Sequence, residues 1–286
     1  MKKTFLIASL FFTAFISHAA NLRDDVRFHN EQSDTTRITQ ILIDAEKISK
    51  PGERISAIAH RFIDTPYVAH TLEDSVERLT VNLDELDCTT FVETVMALAY
   101  TAGERRTSWH DFIYNLRRLR YRGGVVNGYP SRLHYISDWA VDNSHRGNFT
   151  EVTDRIPQSR TVIKSINFMS RHRDLYPLLA DSANFAKIKE VEQGYINHQY
   201  PIVRTNSLNN KQVWQSLREG DIIALTTSNK NLDVSHLGLI TIVDGKPHLL
   251  HASSSLKKVT VTTVPLYDFL RRNPSLTGIR VFRLNE

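Results

Sequence analysis

The chain has 286 residues, 36 lysines and arginines against 31 acidic residues, a formal net charge of +5, and one cysteine. This length is enough for one large domain or two modest ones, whose cores need neither disulfides nor metals for stability. The mild positive charge suits an anionic partner, but the sequence lacks the dense basic stripe of a nucleic-acid-binding protein. Its nearest approach to such a stripe, residues 117–122, is better explained as the solvated face of a helix.

Residues 1–19 have the pattern of a signal peptide. A charged start and an apolar stretch over residues 5–16 precede Ser17-His18-Ala19, which provides the small residues needed for cleavage. The apolar stretch is too short to span a bilayer, which disfavours the alternative of a membrane anchor. No later segment approaches the roughly 18 apolar residues of a membrane-spanning helix, so we expect no integral membrane span in the mature chain. We therefore predict an exported protein, periplasmic or alternatively secreted, with residues 20–286 forming a single domain.

The first half of the mature chain combines polar and helical segments. Residues 21–36 are polar and predicted to be frayed, whereas residues 37–63 carry apolar residues at helical spacing, interrupted at Pro51-Gly52. Leu79–Leu83 alternates like a short strand. Over residues 88–102 the apolar positions form one stripe at i, i+1, i+4, i+7, i+8 and i+11, which predicts a buried helix.

The pattern changes in the second half. Residues 103–207 are predicted to be mostly helix and loop, with helices from the Ser108 cap to Tyr121 and over 133–142 and 185–198. Strands are predicted from residue 220 onward, at Asp221–Thr226, Val234–Val243, His248–Ala252, Val259–Val264 and Ile279–Leu284. Helices followed by strands, with little alternation between the two, indicate an α+β fold with an antiparallel sheet.

The cysteine, Cys88, has no partner for an intramolecular disulfide. In an exported protein a lone thiol indicates an intermolecular bond, a buried inert thiol or a reactive one. Asp87 falls where a helix N-cap is expected, so Cys88 would be the first helical residue. The positive end of the helix dipole favours a thiolate there, whereas the Asp87 charge opposes it, so a nucleophilic thiol needs a neighbouring base.

Two histidines on a predicted hairpin are the best candidates for that base and its orienting partner. Asp244-Gly245 is a strong two-residue turn, and pairing Val243 with Lys246 places His236 and His251 on one face of the strands. His248 then points to the other face. The plain alternative is a pair of histidines on a half-exposed sheet. A zinc hydrolase that uses all three histidines with an aspartate is disfavoured by this alternation and by the lack of an H-E-x-x-H motif, so we expect no metal.

Four segments in order resemble the NlpC-type cell-wall cysteine hydrolases: Asp87-Cys88-Thr89-Thr90-Phe91, Gly220-Asp221-Ile222-Ile223, Ser235-His236-Leu237-Gly238-Leu239 and His251-Ala252-Ser253. The resemblance implies a papain-like α+β fold, in which a helix carrying the nucleophile packs on an antiparallel sheet and a mostly helical segment is inserted centrally. It assigns Cys88 as the nucleophile, His236 as the base and His251 as the third, orienting member. It also implies that no cofactor is needed.

Within that superfamily, "DTPYVAHTLE", "LDCTTFVE" and "YPSRLHYISDW" resemble the N-acetylmuramoyl-L-alanine amidase-like branch over nearly the whole mature chain. This implies cleavage of the amide between N-acetylmuramic acid and L-alanine in peptidoglycan or muropeptide fragments. The alternatives are an endopeptidase that cuts between D-glutamate and diaminopimelate, and a non-catalytic module that binds the cell wall. The residues that the resemblance makes candidates for contact with the substrate or oxyanion are Tyr67, Asp87, Ser235, Arg132, His134 and Asp138. For the last three, a salt bridge or a helix cap is an equally good explanation.

Overall fold

The computed structural model describes residues 26–285, so the predicted signal peptide lies outside the described residues. Its helices are α1 Glu31–Ala45, α2 Pro51–His60, α3 Cys88–Gly103, α4 Trp109–Arg120, α5 Ile136–His145, α6 Phe168–Arg171, α7 Ser182–Gln193, α8 Lys211–Trp214 and α9 Leu266–Arg271. Its strands are β1 Val26–Phe28, β2 Leu79–Val81, β3 Phe149–Glu151, β4 Arg160–Lys164, β5 His198–Arg204, β6 Ile222–Thr227, β7 Val234–Val243, β8 Lys246–Ser253, β9 Lys258–Val261 and β10 Leu276–Leu284. Within this part of the chain, no helix combines the length and the apolar character needed to cross a membrane.

The main sheet has eight strands. Seven follow the order β4-β5-β10-β6-β7-β8-β9, and β3 pairs with β10 beside them. Every pair in this sheet is antiparallel. A separate parallel pair, β1 with β2, lies outside it. The predicted α+β class with an antiparallel sheet is confirmed.

The main sheet buries both of its faces. Along β6, Ile222 and Ala224 belong to the larger hydrophobic core, which also contains the apolar side chains of α3. Ile223 and Leu225 belong to a second core, which includes Leu270 of α9. This alternation follows the two-residue period of a strand. A third, smaller core lies in the central segment and is formed by Tyr129, Tyr135, Ile166, Met169, Leu179, Ile188 and Tyr195.

Helix α3 packs on β7 and β8 and is enclosed on its other sides by α1, α2 and α4. It is apolar nearly all round, as expected of a fully enclosed helix. Its one acidic residue, Glu93, is paired with Arg120 of α4 at 2.6 Å, and both side chains are 2% exposed. A second guanidinium nitrogen of Arg120 donates to the carbonyl of Thr80 at 2.6 Å. This buried pair fixes α3 against α4 and β2.

The predicted hairpin is confirmed in its turn and its register. Asp244 and Gly245 have φ values of 49° and 73°, as a two-residue primed turn requires. Val243 pairs with Lys246, and the same register continues to Leu239 opposite Leu250. The turn type and length therefore determined the register, as predicted.

One prediction about the remaining segments was wrong, and another was incomplete. Residues 31–36 are not frayed but form the start of α1, because Asn30 accepts the Ser33 amide and caps the helix. The central segment contains β3, β4 and β5, and β5 joins the main sheet between β4 and β10. Pro201 within β5 weakens its strand signal, and the outward residues of β4 are exposed, so neither strand has the apolar pattern of a core strand.

Candidate active site

Asp87 caps α3 and makes Cys88 its first residue. One carboxylate oxygen of Asp87 accepts the amides of Thr89 at 2.9 Å and Thr90 at 2.7 Å. The Thr90 hydroxyl accepts the Asp87 amide at 2.8 Å, which completes a capping box. These bonds occupy the amides of the second and third helical residues. Among the described residues, the Cys88 amide has no acceptor beyond its own sulfur.

The sulfur of Cys88 lies beside β7. The backbone amide of Leu237, the residue that follows His236, is close enough to this sulfur to lower the pKa of the thiol. The ladder between β7 and β8 has its last pair at Leu239 and Leu250, so this amide lies where the two strands separate. The Cys88 side chain is partly exposed. Burial, and then the Asp87 charge, raise the pKa of the thiol to about 11, which outweighs the effect of the Leu237 amide.

His236 and His251 face each other across this separation. Nε2 of His236 lies 2.6 Å from Nδ1 of His251, and the rings are nearly perpendicular, at 88°. The edge of Phe269, from α9, packs against the His251 ring with a centroid distance of 5.5 Å. Burial, and then His251, lower the pKa of His236 to about 3. Burial lowers the pKa of His251 to about 4, so both rings are neutral near pH 7.

Tyr67 lies beside the start of α3. It forms a parallel bridge with Leu86, the residue before the capping Asp87. Its amide donates to the carbonyl of Lys257 at 2.9 Å, which links this segment to the turn between β8 and β9. Burial, and then the charges of Cys88 and Asp87, raise the pKa of the Tyr67 hydroxyl. The structure thus brings Tyr67 close to Cys88.

Ser235 is the bulged residue that precedes His236. Leu225 of β6 pairs with His236, whereas the next residue, Thr226, pairs with Val234, so Ser235 has no partner in the ladder. Its side chain is exposed. Bulges of this kind are common beside active sites because they change the direction of the neighbouring side chain.

Gly238 allows β7 and β8 to approach each other next to the two histidines. A Cβ atom at this position would lie 2.7 Å from Cδ1 of Leu249 and 3.0 Å from the carbonyl oxygen of Leu250. Real Cβ contacts are essentially never shorter than 3.0 Å, so a side chain here would displace Leu249 or move the strands apart.

Arg132 and His134 lie between α4 and α5, and the charge of Arg132 acts on Glu93 of α3. Arg132 is 2.9 Å from Glu73 and 3.3 Å from Glu77, and its side chain is 7% exposed. Nε2 of His134 donates to the Tyr129 carbonyl at 2.9 Å. Burial, and then the Arg132 charge, lower the pKa of His134 to about 3, so this ring is neutral. The His134 side chain is partly exposed, whereas that of Arg132 is buried.

Asp138 has its polar contacts inside the protein. Its two oxygens accept from Arg122 at 2.8 Å and 2.6 Å, and the Tyr195 hydroxyl donates to it at 2.8 Å. The carboxylate is 4% exposed. These contacts connect α5 to the segments that follow α4 and α7, and they account for Asp138 without a ligand.

The third hairpin histidine is separate from the other two. Nδ1 of His248 lies 2.7 Å from the carbonyl of Thr262, and the side chain is buried. His248 pairs with Thr241, so it has the opposite orientation on the strand from His251. The three histidines therefore do not converge on one point. In the described part of the chain, no three His, Cys, Asp or Glu side chains are grouped as metal ligands.

Three groups near the candidate site were not predicted from the sequence. The Leu237 amide is a backbone group, and Phe269 lies on a short helix with too few residues for a clear period. Lys257 is in a turn whose contact with Tyr67 depends on the long-range fold. Of the features around these three groups, local sequence patterns predicted only the Asp87 cap beside Cys88.

A large cavity of about 970 Å³ lies elsewhere, at the C-terminal end of α3. It is lined by Tyr100, Gly103 and Glu104 together with residues of α2 and β10. Since α3 has 16 residues, its two ends are about 24 Å apart, and the cavity is separate from Cys88.

The chain is similar to a known family and to several solved structures. It matches the AmiA-like family, described as N-acetylmuramoyl-L-alanine amidase-like, over residues 57–279. The crystal structure of an N-acetylmuramoyl-L-alanine amidase from Bacteroides uniformis is 40% identical, with a TM-score of 0.78 over 82% of this chain and 99% of that chain. A Bacteroides fragilis protein, provisionally named a xylanase, is 40% identical, with a TM-score of 0.75 over 80% of this chain and 100% of that chain.

A protein from Legionella pneumophila is 22% identical and shares the fold, with a TM-score of 0.70 over 90% of this chain and 96% of that chain. Among curated proteins, none matches the chain. The family match covers more than half of the chain, and the Bacteroides uniformis structure is matched over almost its whole length. The chain belongs to the N-acetylmuramoyl-L-alanine amidase-like family.

Proposed function

We propose that this protein is a peptidoglycan hydrolase that cleaves the amide between N-acetylmuramic acid and L-alanine through a cysteine thioester. Membership of the amidase-like family supports the substrate class. The observation that carries the cysteine mechanism is the closeness of the Leu237 amide to the Cys88 sulfur, because Leu237 is adjacent to His236 on β7. His236 in turn lies 2.6 Å from His251. The thiol of Cys88, the base His236 and the orienting residue His251 would thus be arranged in that order in the site.

The hydrogen bond between the histidines sets their tautomers. If Nε2 of His236 carries its proton and donates to Nδ1 of His251, Nδ1 of His236 is left as a free acceptor for the thiol proton. His251 then carries its own proton on Nε2. This arrangement makes His251 a positioning residue that also supports the charge that forms on His236.

In the proposed reaction, both reacting groups start neutral. The Cys88 sulfur attacks the amide carbonyl as its proton passes to His236, because the high pKa of the thiol and the low pKa of the imidazole disfavour a preformed ion pair. The carbon–sulfur bond forms, the carbon–nitrogen bond breaks, and His236 gives the proton to the leaving L-alanine amine. Water then attacks the thioester and gives one proton to His236, which returns it to the departing sulfur.

The carbonyl oxygen becomes negatively charged in the transition state and needs donors. The Cys88 amide at the start of α3 has no other acceptor among the described residues. The Tyr67 hydroxyl, which lies near Cys88, is the second candidate. One such donor contributes about 3 kcal/mol to lowering the barrier.

The proposal also includes a papain-like fold, export of the protein and a cell-wall substrate. A nucleophile-bearing helix that packs on an antiparallel sheet supports a papain-like core of the NlpC type. The predicted signal peptide supports export, to the periplasm or outside the cell. The substrate would be intact peptidoglycan or released muropeptides.

A glycosidase, suggested by the name of the Bacteroides fragilis relative, would need two carboxyl groups on either side of a sugar bond. The site here is built instead from a thiol and two imidazoles. An endopeptidase that cuts between D-glutamate and diaminopimelate would use the same three groups, so the scissile bond has to be measured.

The test is digestion of a purified disaccharide-tripeptide, with the products identified by mass spectrometry. The proposal expects the free disaccharide and the intact tripeptide, and at least a ~10³-fold slower release by the Cys88→Ala variant. That variant should bind substrate and unfold at the wild-type temperature. Release of diaminopimelate alone would assign the endopeptidase activity. Binding without any product would assign the non-catalytic module, and full activity of Cys88→Ala would exclude the thioester.

A further inference from the structure

Lys257 stands at the rim of the candidate active site. It lies in the turn between β8 and β9, and its carbonyl accepts the Tyr67 amide at 2.9 Å. Its ammonium nitrogen is 5.9 Å from the centroid of the Tyr67 ring. The charges of Cys88 and Asp87 act on the Tyr67 hydroxyl, so Lys257 is the neighbour of a residue that lies close to Cys88.

The charge of Lys257 has no counter-ion in the described part of the chain, and its side chain is exposed. The next residue differs in this respect, because Lys258 is 2.6 Å from the carboxylate of Asp64. Two adjacent lysines therefore have different surroundings. One belongs to a surface ion pair, and the other extends over the tyrosine beside the nucleophile.

The backbone at Lys257 is unusual for this residue type. Its φ is +58°, in the left-handed region, where glycine and asparagine are favoured in turns. A lysine there costs stability relative to glycine. Such strain beside a site is a reason to look for a function of the side chain.

We propose that Lys257 binds the α-carboxylate of the D-glutamate that follows L-alanine in the stem peptide, and so selects substrates with an acidic second residue. This inference rests on the proposed function. D-glutamate is linked through its side chain, so its α-carboxylate is free. An extended residue spans about 3.5 Å, which places this carboxylate roughly 7 Å from the scissile carbonyl. A carboxylate at this distance from the reacting carbon would lie in the neighbourhood of Tyr67, whose ring the Lys257 ammonium covers.

The test compares two substrates that differ only in this group: N-acetylmuramoyl-L-alanyl-D-glutamate and its α-amide, the D-isoglutamine form. The wild-type protein should have a kcat/KM about fivefold higher for the acid, as expected for a charge pair at a partly solvated rim. Lys257→Gln should remove this preference, mainly through KM for the acid, and leave kinetics on the amide unchanged. Lys258→Gln is the matched control and should keep the wild-type preference.

Lys257→Gly provides a second measurement. Because glycine relieves the positive φ, this variant should unfold about 2 °C higher while losing the preference for the acid. Equal preference for the acid in the wild type and in Lys257→Gln would overturn the inference, and so would a wild type that cleaves both substrates equally. A wild type that cleaves neither substrate between the sugar and L-alanine would instead refute the proposed function.

Discussion

Nε2 of His236 lies 2.6 Å from Nδ1 of His251, although the two residues are 15 positions apart and on different strands. The contact follows from the tight Asp244-Gly245 turn, which sets the register of β7 against β8. It leaves the other nitrogen of His236 available for a proton. Two histidines alone are therefore not sufficient: the proposed function requires that the His251 ring be oriented toward Nε2 of His236.

We expect His251→Asn to retain more activity than His251→Ala. An asparagine side chain has an oxygen that can accept the Nε2 proton of His236, whereas alanine leaves that ring without an orienting partner. Loss of the partner should lower kcat by about 10²-fold, with a smaller change in KM. Steady-state kinetics on a muropeptide would measure this difference. Equal activity of the two variants would show that the hydrogen bond has no role in turnover.

The thiol should be alkylated slowly at neutral pH and faster as the pH rises. Because burial and the charge of Asp87 raise the pKa of Cys88 to about 11, the thiolate is a minor species at pH 7. The rate constant for iodoacetamide should therefore increase about tenfold per pH unit between pH 7 and pH 9.5. A plateau already reached below pH 8 would indicate a preformed thiolate–imidazolium pair.

Asp87→Asn is the informative variant for this measurement. It removes the negative charge and keeps an oxygen that can accept the Thr89 and Thr90 amides. The pKa of the thiol should fall, and alkylation at pH 8 should be faster than in the wild type. An unchanged rate would mean that burial alone raises the thiol pKa.

Acid should destabilise the fold through the buried histidines. The pKa of His251 is lowered to about 4, against about 6.5 in the unfolded chain, so between these values the unfolded chain binds the extra proton. The contribution of this ring to stability is complete above about pH 6.5 and is lost as the pH falls toward 4. His236 and His134 act in the same direction.

The comparison of wild type with His251→Asn isolates this effect. Burial raises the pKa of the carboxyl groups of Asp34 and Glu77, which acts in the opposite direction but is common to both proteins. Between pH 6 and pH 4.5, the unfolding free energy from urea titrations should fall less steeply in the variant, by at most about 1.4 kcal/mol per pH unit. Parallel curves would contradict a depressed pKa for His251.

Gly238→Ala should impair both stability and activity. The added methyl group would lie 2.7 Å from Leu249 and 3.0 Å from the Leu250 carbonyl, so the strands would have to move apart beside His236. We expect a loss of about 1–3 kcal/mol in unfolding free energy together with a lower kcat. Gly245→Ala is the control, because it meets no neighbouring atom and strains only the turn. Wild-type kcat in Gly238→Ala would show that the site tolerates this movement.

Local patterns predicted the part of the site that depends on adjacent residues. The Asp87 cap placed Cys88 at the start of a helix, and the turn residues gave the register that brings His236 and His251 together. Both results follow from interactions within a few residues or across one hairpin. The same rules correctly separated His248 from the pair.

What the sequence did not reveal depends on distant partners. The strand β5 contains a proline, and its pairing with β4 and β10 decides its structure more than its own pattern does. Arg132 was a candidate for substrate contact, but its two carboxylate partners, Glu73 and Glu77, lie more than 50 residues away in the chain. The approach of Lys257 to Tyr67 likewise needed the folded chain.

The closeness of the Leu237 amide to the Cys88 sulfur gives this protein an intrinsic spectroscopic reporter. A thiolate attracts a neighbouring N–H more strongly than a thiol, so ionisation of Cys88 should shift the amide proton of Leu237 downfield in a nitrogen–proton correlation spectrum. Acylation would remove the negative charge from the sulfur and shift the resonance the other way. Since the chain has no other cysteine, this one peak would follow the nucleophile through each stage of a catalytic cycle without any added label.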